Sequence, residues 1–183
     1  LLMIGGEFDL SSGVAVTTAA LAATMLNYNL HLNSWVGAFM ALGISLAIGA
    51  LNGYLVTRTG IDSFLITLAA FLMLQGLNLA VTKLVTGQVA TPIISDMEGF
   101  PSAHVVFAGT FDVGNVTLNV TVLWWLLLVA IASFVLFRTK FGNWITAVGG
   151  DQNAARAVGV PVRRVKILLF MGVGFAAWVV SMH

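Results

Sequence analysis

Apolar residues fall into long runs along this chain, separated by short polar stretches. A helix that crosses a membrane needs about 20 largely apolar residues. Trp35–Val56, Ser63–Val85 and Thr117–Phe137 meet that length, and a further run from Ile167 is cut by the end of the sequence at His183. Ser12–Asn27 is also apolar but short for a full crossing. The pattern predicts an all-α integral membrane protein, a polytopic helical bundle with about five membrane segments in one transmembrane domain over residues 1–183. Leu1–Ile4 reads as the tail of a span already under way, and His183 lies inside an apolar run, so an internal fragment of a longer protein is expected.

Polar and small positions inside the runs carry further information. Gly37, Ala41, Ser45, Gly49 and Gly53 recur every fourth residue, which puts small side chains on one helix face and lets a neighbouring helix approach closely. Asn52 lies off that stripe and can hydrogen-bond across helices. In the next run Thr67, Phe71, Gln75, Asn78 and Thr82 share a face. Gln75 falls near mid-membrane, where polar groups face protein or a water-filled cavity. Two readings stay open for this stripe: interhelical hydrogen bonding, or the lining of a path for a hydroxyl-rich solute. Gly172, Ala176 and Val180 place small residues on one face of the last run, and Trp124-Trp125 lies too deep for an interfacial belt and reads as packing.

The connections are equally uneven. Gly5-Gly6 interrupts the first apolar stretch, and Asp9 or Ser11 can cap the helix that follows. A glycine break with acids beside a short apolar segment is compatible with a discontinuous helix whose backbone lines a cavity, placing Glu7 and Asp9 near a pathway; it is equally compatible with a helix start at a water interface. Asn27-Tyr28-Asn29, His31 and Asn33 form a polar turn. The connection over residues 86–116 holds Gly87, Pro92, Pro101, Gly109 and Gly114, the acids Asp96, Glu98 and Asp112, and no base, which suits the outer side. It is longer than most loops, and Ile93-Ile94 and Val105-Val106-Phe107 are candidates to pack as short interfacial pieces.

Composition agrees with the membrane reading: 59% of residues are hydrophobic and 8% charged, against roughly 25% charged in soluble domains. Charge then fixes orientation. Arg138, Lys140, Arg156, Arg163, Arg164 and Lys166, six of the eight Lys/Arg residues, fall in the segment 138–166. A basic loop between apolar runs stays on the cytoplasmic side. Within it Gly149-Gly150 is expected to break the chain, Asp151 to cap a helix over Gln152–Val158, Gly159 to end it, and Pro161 to open the next helix. About two turns of helix are unstable alone in water, so this one is either part of an ordinary topology-setting loop or a docking element.

Chemistry is largely excluded. His31, His104 and His183 are scattered, there is no cysteine, and no nucleophile–base arrangement is suggested, so no catalytic residue and no metal site is expected. Gly149-Gly150-Asp151 lacks the phosphate-cradling pattern of nucleotide hydrolases, so no cofactor or nucleotide is expected. A net charge of +1 gives no reason to expect nucleic acid.

Three stretches carry a resemblance. FGNWITAVGGDQNAARAVGVPVRRVKILLF closely resembles the cytoplasmic coupling segment of permease subunits of bacterial ATP-binding-cassette importers for simple sugars, the ribose/xylose/galactose group. GGEFDLSSG at 5–13 is similar to that family's Gly-Gly-x-Asp-Leu-Ser-x-Gly signature, with one extra residue before Asp9. LNGYLVTRTGIDSFLITLA at 51–69 is similar to its Asn-Gly segment ending in Thr-Leu. The resemblance implies a multi-pass permease of the bacterial inner membrane that moves a monosaccharide delivered by a periplasmic sugar-binding protein to the 86–116 loop. It implies a second permease subunit, expected as a homodimer, surrounding lipid, and a separate ATPase subunit that hydrolyses ATP. The coupling residues would be Gly149, Gly150, Asp151, Asn153, Ala154, Ala155, Arg156 and Gly159: Asp151 holding the helix start, Arg156 offering a charged contact, and Ala154 and Ala155 permitting close approach. Glu7, Asp9, Asn52, Phe71, Gln75 and Asn78 are the candidates for the substrate path. Branched-chain amino acid or nucleoside permeases of the same superfamily are alternatives. So is an ion-coupled secondary transporter using Glu7 or Asp9.

Overall fold

The structure is a computed structural model, and it describes residues 1–30, 33–88, 99–113 and 116–183. His31, Pro92, Ile93-Ile94, Asp96, Glu98 and Gly114 lie outside the described residues. A single 3-10 turn, Met3–Gly5, precedes α1 (Ser12–Leu30), α2 (Ser34–Thr59) and α3 (Ser63–Thr86). Then come α4 (Phe100–Ala108), the strands β1 (Thr110–Val113) and β2 (Val116–Asn119), and α5 (Val120–Arg138). Two short helices, α6 (Lys140–Gly150) and α7 (Gln152–Ala157), lead into α8 (Val162–Ser181). Four of these helices, α2, α3, α5 and α8, are long and apolar enough to cross a membrane. The protein is therefore an all-α polytopic membrane bundle with, among the described residues, additional shorter helices and one small hairpin.

The ends of the long helices follow local chemistry. Asn33 Oδ1 accepts from the Trp35 N–H at the start of α2, and Asp62 Oδ1 accepts from Phe64 N–H at the start of α3, each satisfying a donor that has no partner within its helix. Gly60 and Gly87 end α2 and α3 in the left-handed conformation (φ 70° and 72°), which glycine adopts without a Cβ clash.

Helices α1, α2 and α8 form the packed centre. The four-residue stripe on α2 performs the role its spacing predicts. Gly53 sits against Ile167 Cα, Gly49 against the Phe170 carbonyl, and Ser45 donates to the Gly174 carbonyl at 2.7 Å. One turn further on, Trp178 Nε1 donates to the Ala38 carbonyl at 2.8 Å. These contacts run in opposite chain directions, so α2 and α8 are antiparallel over their length. On its other flank Gly37 receives the Asn27 amide of α1. In contrast, α3 and α5 turn large apolar side chains outward, with Leu84 84% and Phe137 78% exposed, and no residue of α5 is buried. In a membrane such surface meets lipid or further protein rather than water.

Several expectations need correction. The polar residues Asn27, Tyr28 and Asn29 do not form a turn; α1 continues through them to Leu30. Asn27 is tolerated there because it packs beneath Gly37. Gly149-Gly150 does not break the chain but closes the last turn of α6. On α8 the packing face is Gly174, Ala177 and Trp178, whereas Gly172 and Val180 are exposed and Ala176 is partly exposed. The 86–116 connection contains α4, and β1 pairs with β2 antiparallel, Thr110 opposite Asn119 and Phe111 opposite Leu118. The span expected from Thr117 consequently starts at Val120. Phe107 of α4 is buried and stacks on Trp124, while Trp125 faces outward, so only one of the two tryptophans packs inside.

The basic residues sort by end. Arg58 closes α2, Arg138 closes α5, and α6, α7 and the start of α8 carry five more, leaving Lys83 near the far end of α3 as the one of eight at the other end. By charge bias the first end is cytoplasmic. It is called the inner end below.

Candidate functional site

At the inner end, Thr139 is extended and its Oγ1 accepts from the Gly142 N–H at 3.2 Å, starting α6 immediately after α5 stops. Gly142, Ile145 and Val148, three residues apart, form the buried face of α6. That face rests on the 3-10 turn, where Gly149 lies so close to the Ile4 carbonyl that no Cβ fits. The pair of glycines is therefore explained at Gly149 by close approach, while Gly150 meets nothing within 4 Å.

Asp151 then caps α7. One carboxylate oxygen accepts from the Asn153 N–H at 2.7 Å and the Ala154 N–H at 3.1 Å. These two bonds, that from Ala154 foremost, hold the carboxyl below its usual pKa. Ala155 is 2% exposed and joins a core with Val56, Val148, Val162 and Val165. Gly159 (φ 83°) ends the helix, its N–H donating to the Arg156 carbonyl at 3.0 Å, and Val160 N–H returns to the Ala155 carbonyl at 3.0 Å. Asn153, Ala154, Arg156, Ala157 and Val158 face outward. Of the two alanines expected at a contact surface, Ala154 is open to a partner and Ala155 instead fastens α7 to the body of the protein.

The N-terminal segment runs beside α6 and the start of α8. Gly6 takes φ 79°, and Glu7 turns inward to form a buried ion pair with Lys166 of α8. Asp9 accepts from the Ser11 N–H at 2.8 Å and the Ser11 hydroxyl at 2.6 Å, fixing the approach to α1. The extended backbone between them is satisfied by α3: Phe8 N–H donates to Ser63 Oγ at 3.0 Å and Leu10 N–H to Thr67 Oγ1 at 3.1 Å. Asn52 of α2 donates to Ser11 Oγ at 2.8 Å. Irregular backbone at this depth requires such partners, because lipid supplies none.

Further along, α1 and α3 enclose a groove of about 420 Å³. Phe71, Gln75, Asn78 and Thr82 line one wall, and Gly13, Val14 and Thr17 the other. Asn78 Nδ2 donates to Thr18 Oγ1 at 3.0 Å, tying the walls together. The Gln75 amide is exposed and has no partner among the described residues. The structure thus brings Phe71, Gln75 and Asn78 together, and keeps Glu7, Asp9 and Asn52 out of that groove as structural supports. Sequence reasoning missed the Glu7–Lys166 pair. The available signals were that Lys166 directly precedes the apolar run at Ile167 and that an acid follows a glycine pair.

The family described as "Branched-chain amino acid transport system / permease component" matches residues 1–183. The ribose import permease protein of Escherichia coli (strain K12) is 29% identical over 179 residues, covering 97% of this chain and 52% of that protein. The fructose import permease protein of Bifidobacterium longum is 30% identical over 177 residues, covering 97% of this chain and 47% of its own length. That of Rhizobium meliloti is 26% identical over 170 residues, covering 93% and 46%. The chain spans about half the length of the curated relatives it matches. No solved structure matches it.

Proposed function

We propose that this chain, which belongs to the family of branched-chain amino acid transport system permease components, forms part of the membrane-spanning subunit of an ATP-binding-cassette importer for a monosaccharide. The observation that carries the reading is α7: a capped helix of six residues, fastened by Ala155 and presenting Asn153, Ala154 and Arg156 at the basic inner end. Alone it would not hold together. Anchored as it is, it forms a rigid projection suited to a groove on a separate ATPase subunit. Closure of an ATPase pair would then be passed to α8 and the N-terminal segment through the core shared by Val148, Ala155 and Val165. Hydrolysis takes place in that partner; this chain contributes the path and the grip.

The α1–α3 groove is the substrate surface on this reading. It offers an aromatic face and neutral amide and hydroxyl groups, which suit a polyhydroxy solute. A zwitterionic amino acid calls for charged partners, and Glu7 and Asp9 are turned elsewhere. The relatives named for ribose and fructose import support the same choice. Helix α1 is 19 residues long and serves as a fifth crossing beside the four longer apolar helices. The 86–116 segment, with α4 and the hairpin at the outer end, is the surface for a periplasmic sugar-binding protein. The unpartnered flanks of α3 and α5 are left for lipid, the rest of the subunit and a second permease copy, in a bacterial inner membrane.

Uptake of ribose or fructose by vesicles holding the complete protein tests the proposal. Transport that needs ATP and a binding protein, and survives collapse of ion gradients, is the expected result. Transport that stops with the ion gradient and needs no nucleotide contradicts it.

A further inference from the structure

Beside α7 at the inner end lies a cavity of about 890 Å³. Arg156, Arg163 and Arg164 line it together with Lys166, and so do the carboxylates Glu7 and Asp62. That is four cations against two anions, and both anions are already engaged. Glu7 pairs with Lys166, the one ion pair among the described residues, and Asp62 caps α3 through the Phe64 N–H. No carboxylate of the described residues lies within 4.0 Å of any of the three guanidiniums. Arg163 is nonetheless held in place, its Cζ standing 5.2 Å from the centroid of the Tyr54 ring. A fixed guanidinium in a cavity is a ready carboxylate receptor, because its planar fork bonds both oxygens at once.

We propose that this cavity is a socket for a carboxylate side chain of the ATPase subunit, a second point of attachment beside α7. The inference rests on the importer reading above. The occupant follows from position: Arg156 and Gln152 belong both to α7 and to the cavity wall, so a protein seated on α7 also covers the cavity mouth. One acidic residue there neutralises the excess charge and joins the α2–α3 turn and the start of α8 to the same partner.

The test measures binding of the purified ATPase subunit to the complete protein in phosphatidylcholine vesicles, with and without added phosphatidylglycerol, over a range of salt. Arg163→Gln/Arg164→Gln is compared with wild type and with Arg138→Gln, which lies outside the cavity. The double variant is expected to bind at least tenfold more weakly and with a shallower salt dependence in both kinds of vesicle, while Arg138→Gln changes binding less than twofold. Arg164→Glu is expected to regain binding with an ATPase variant carrying Lys in place of the matching acid. Unfolding midpoints of the variants are measured alongside, and a midpoint equal to wild type assigns the loss to the contact. Unchanged affinity in the double variant overturns the socket. A loss seen only with phosphatidylglycerol also overturns it, making a lipid headgroup the occupant. Failure of wild type itself to bind any ATPase subunit rejects instead the importer reading on which the socket rests.

Discussion

Glu7 and Lys166 meet inside the protein, their side chains 7% and 8% exposed, and so join the irregular N-terminal segment to the base of α8. Removing one partner strands a charge in a poorly solvated place, which costs about 3–5 kcal/mol, whereas replacing both with apolar groups of similar volume is close to neutral. Glu7→Gln or Lys166→Met alone is therefore expected to lower the unfolding midpoint of the complete protein in detergent by several degrees. The double variant should recover most of that loss. Equal losses in single and double variants would show that the two residues do not act as a pair.

Neighbouring positions on α7 should behave in opposite ways. Ala155 is buried in the core that fastens the helix, so Ala155→Asp buries an unpaired carboxylate and should cost about 3 kcal/mol or more. Loss of folded protein, rather than clean uncoupling, is expected. Arg156 is exposed, so Arg156→Glu should change the unfolding free energy by no more than about 0.5 kcal/mol. Its substrate-stimulated ATPase activity in the reconstituted complex should fall at least tenfold.

Asp151 links α7 to pH. Its folded carboxyl has a depressed pKa because it accepts two backbone N–H bonds, so its capping contribution is complete above the ordinary carboxylate range, about pH 4. The contribution is lost as pH falls through the depressed folded value. Hydrogen-exchange protection of the Asn153 and Ala154 amides should accordingly be constant from neutral pH down to about 4 and decline below it. Asp151→Asn retains an acceptor and should remove that dependence; Asp151→Ala should lower protection at every pH.

Much of this arrangement is legible in the sequence, for reasons that differ by residue. The α2 stripe from Gly37 to Gly53 announces a close helix contact because regular spacing fixes a face, and the structure fills that face with α8 and Asn27. The Asp151 cap and the Gly159 stop are local, so residue type alone places them. What depends on distant partners is not legible. Gly149 is small because the Ile4 carbonyl presses on it, not because the chain turns there. Glu7 reads as a path residue until Lys166, far along the chain, claims it. Gly172 and Gly174 look alike in sequence, and only the position of Ser45 decides which one faces α2.

The groove should respond to loss of its free amide. Gln75→Leu removes the exposed donor and acceptor beside Phe71 and Asn78 and should slow sugar uptake at least fivefold. Folding and basal ATPase activity of the complex should be unaffected, since Gln75 has no partner among the described residues. Wild-type uptake in this variant would remove the α1–α3 groove from the path.

The central claim is that α7 is an inner-surface projection held by an ATPase subunit, and Val158 tests it most directly. It is 78% exposed at the end of α7, and this chain contains no cysteine. With Val158→Cys placed in a version of the complete protein from which any other cysteine has been removed, a membrane-impermeant thiol reagent should label inside-out vesicles and not right-side-out ones. Added ATPase subunit should block the labelling. Labelling from the outer medium, or labelling that the ATPase subunit leaves unchanged, would contradict the account.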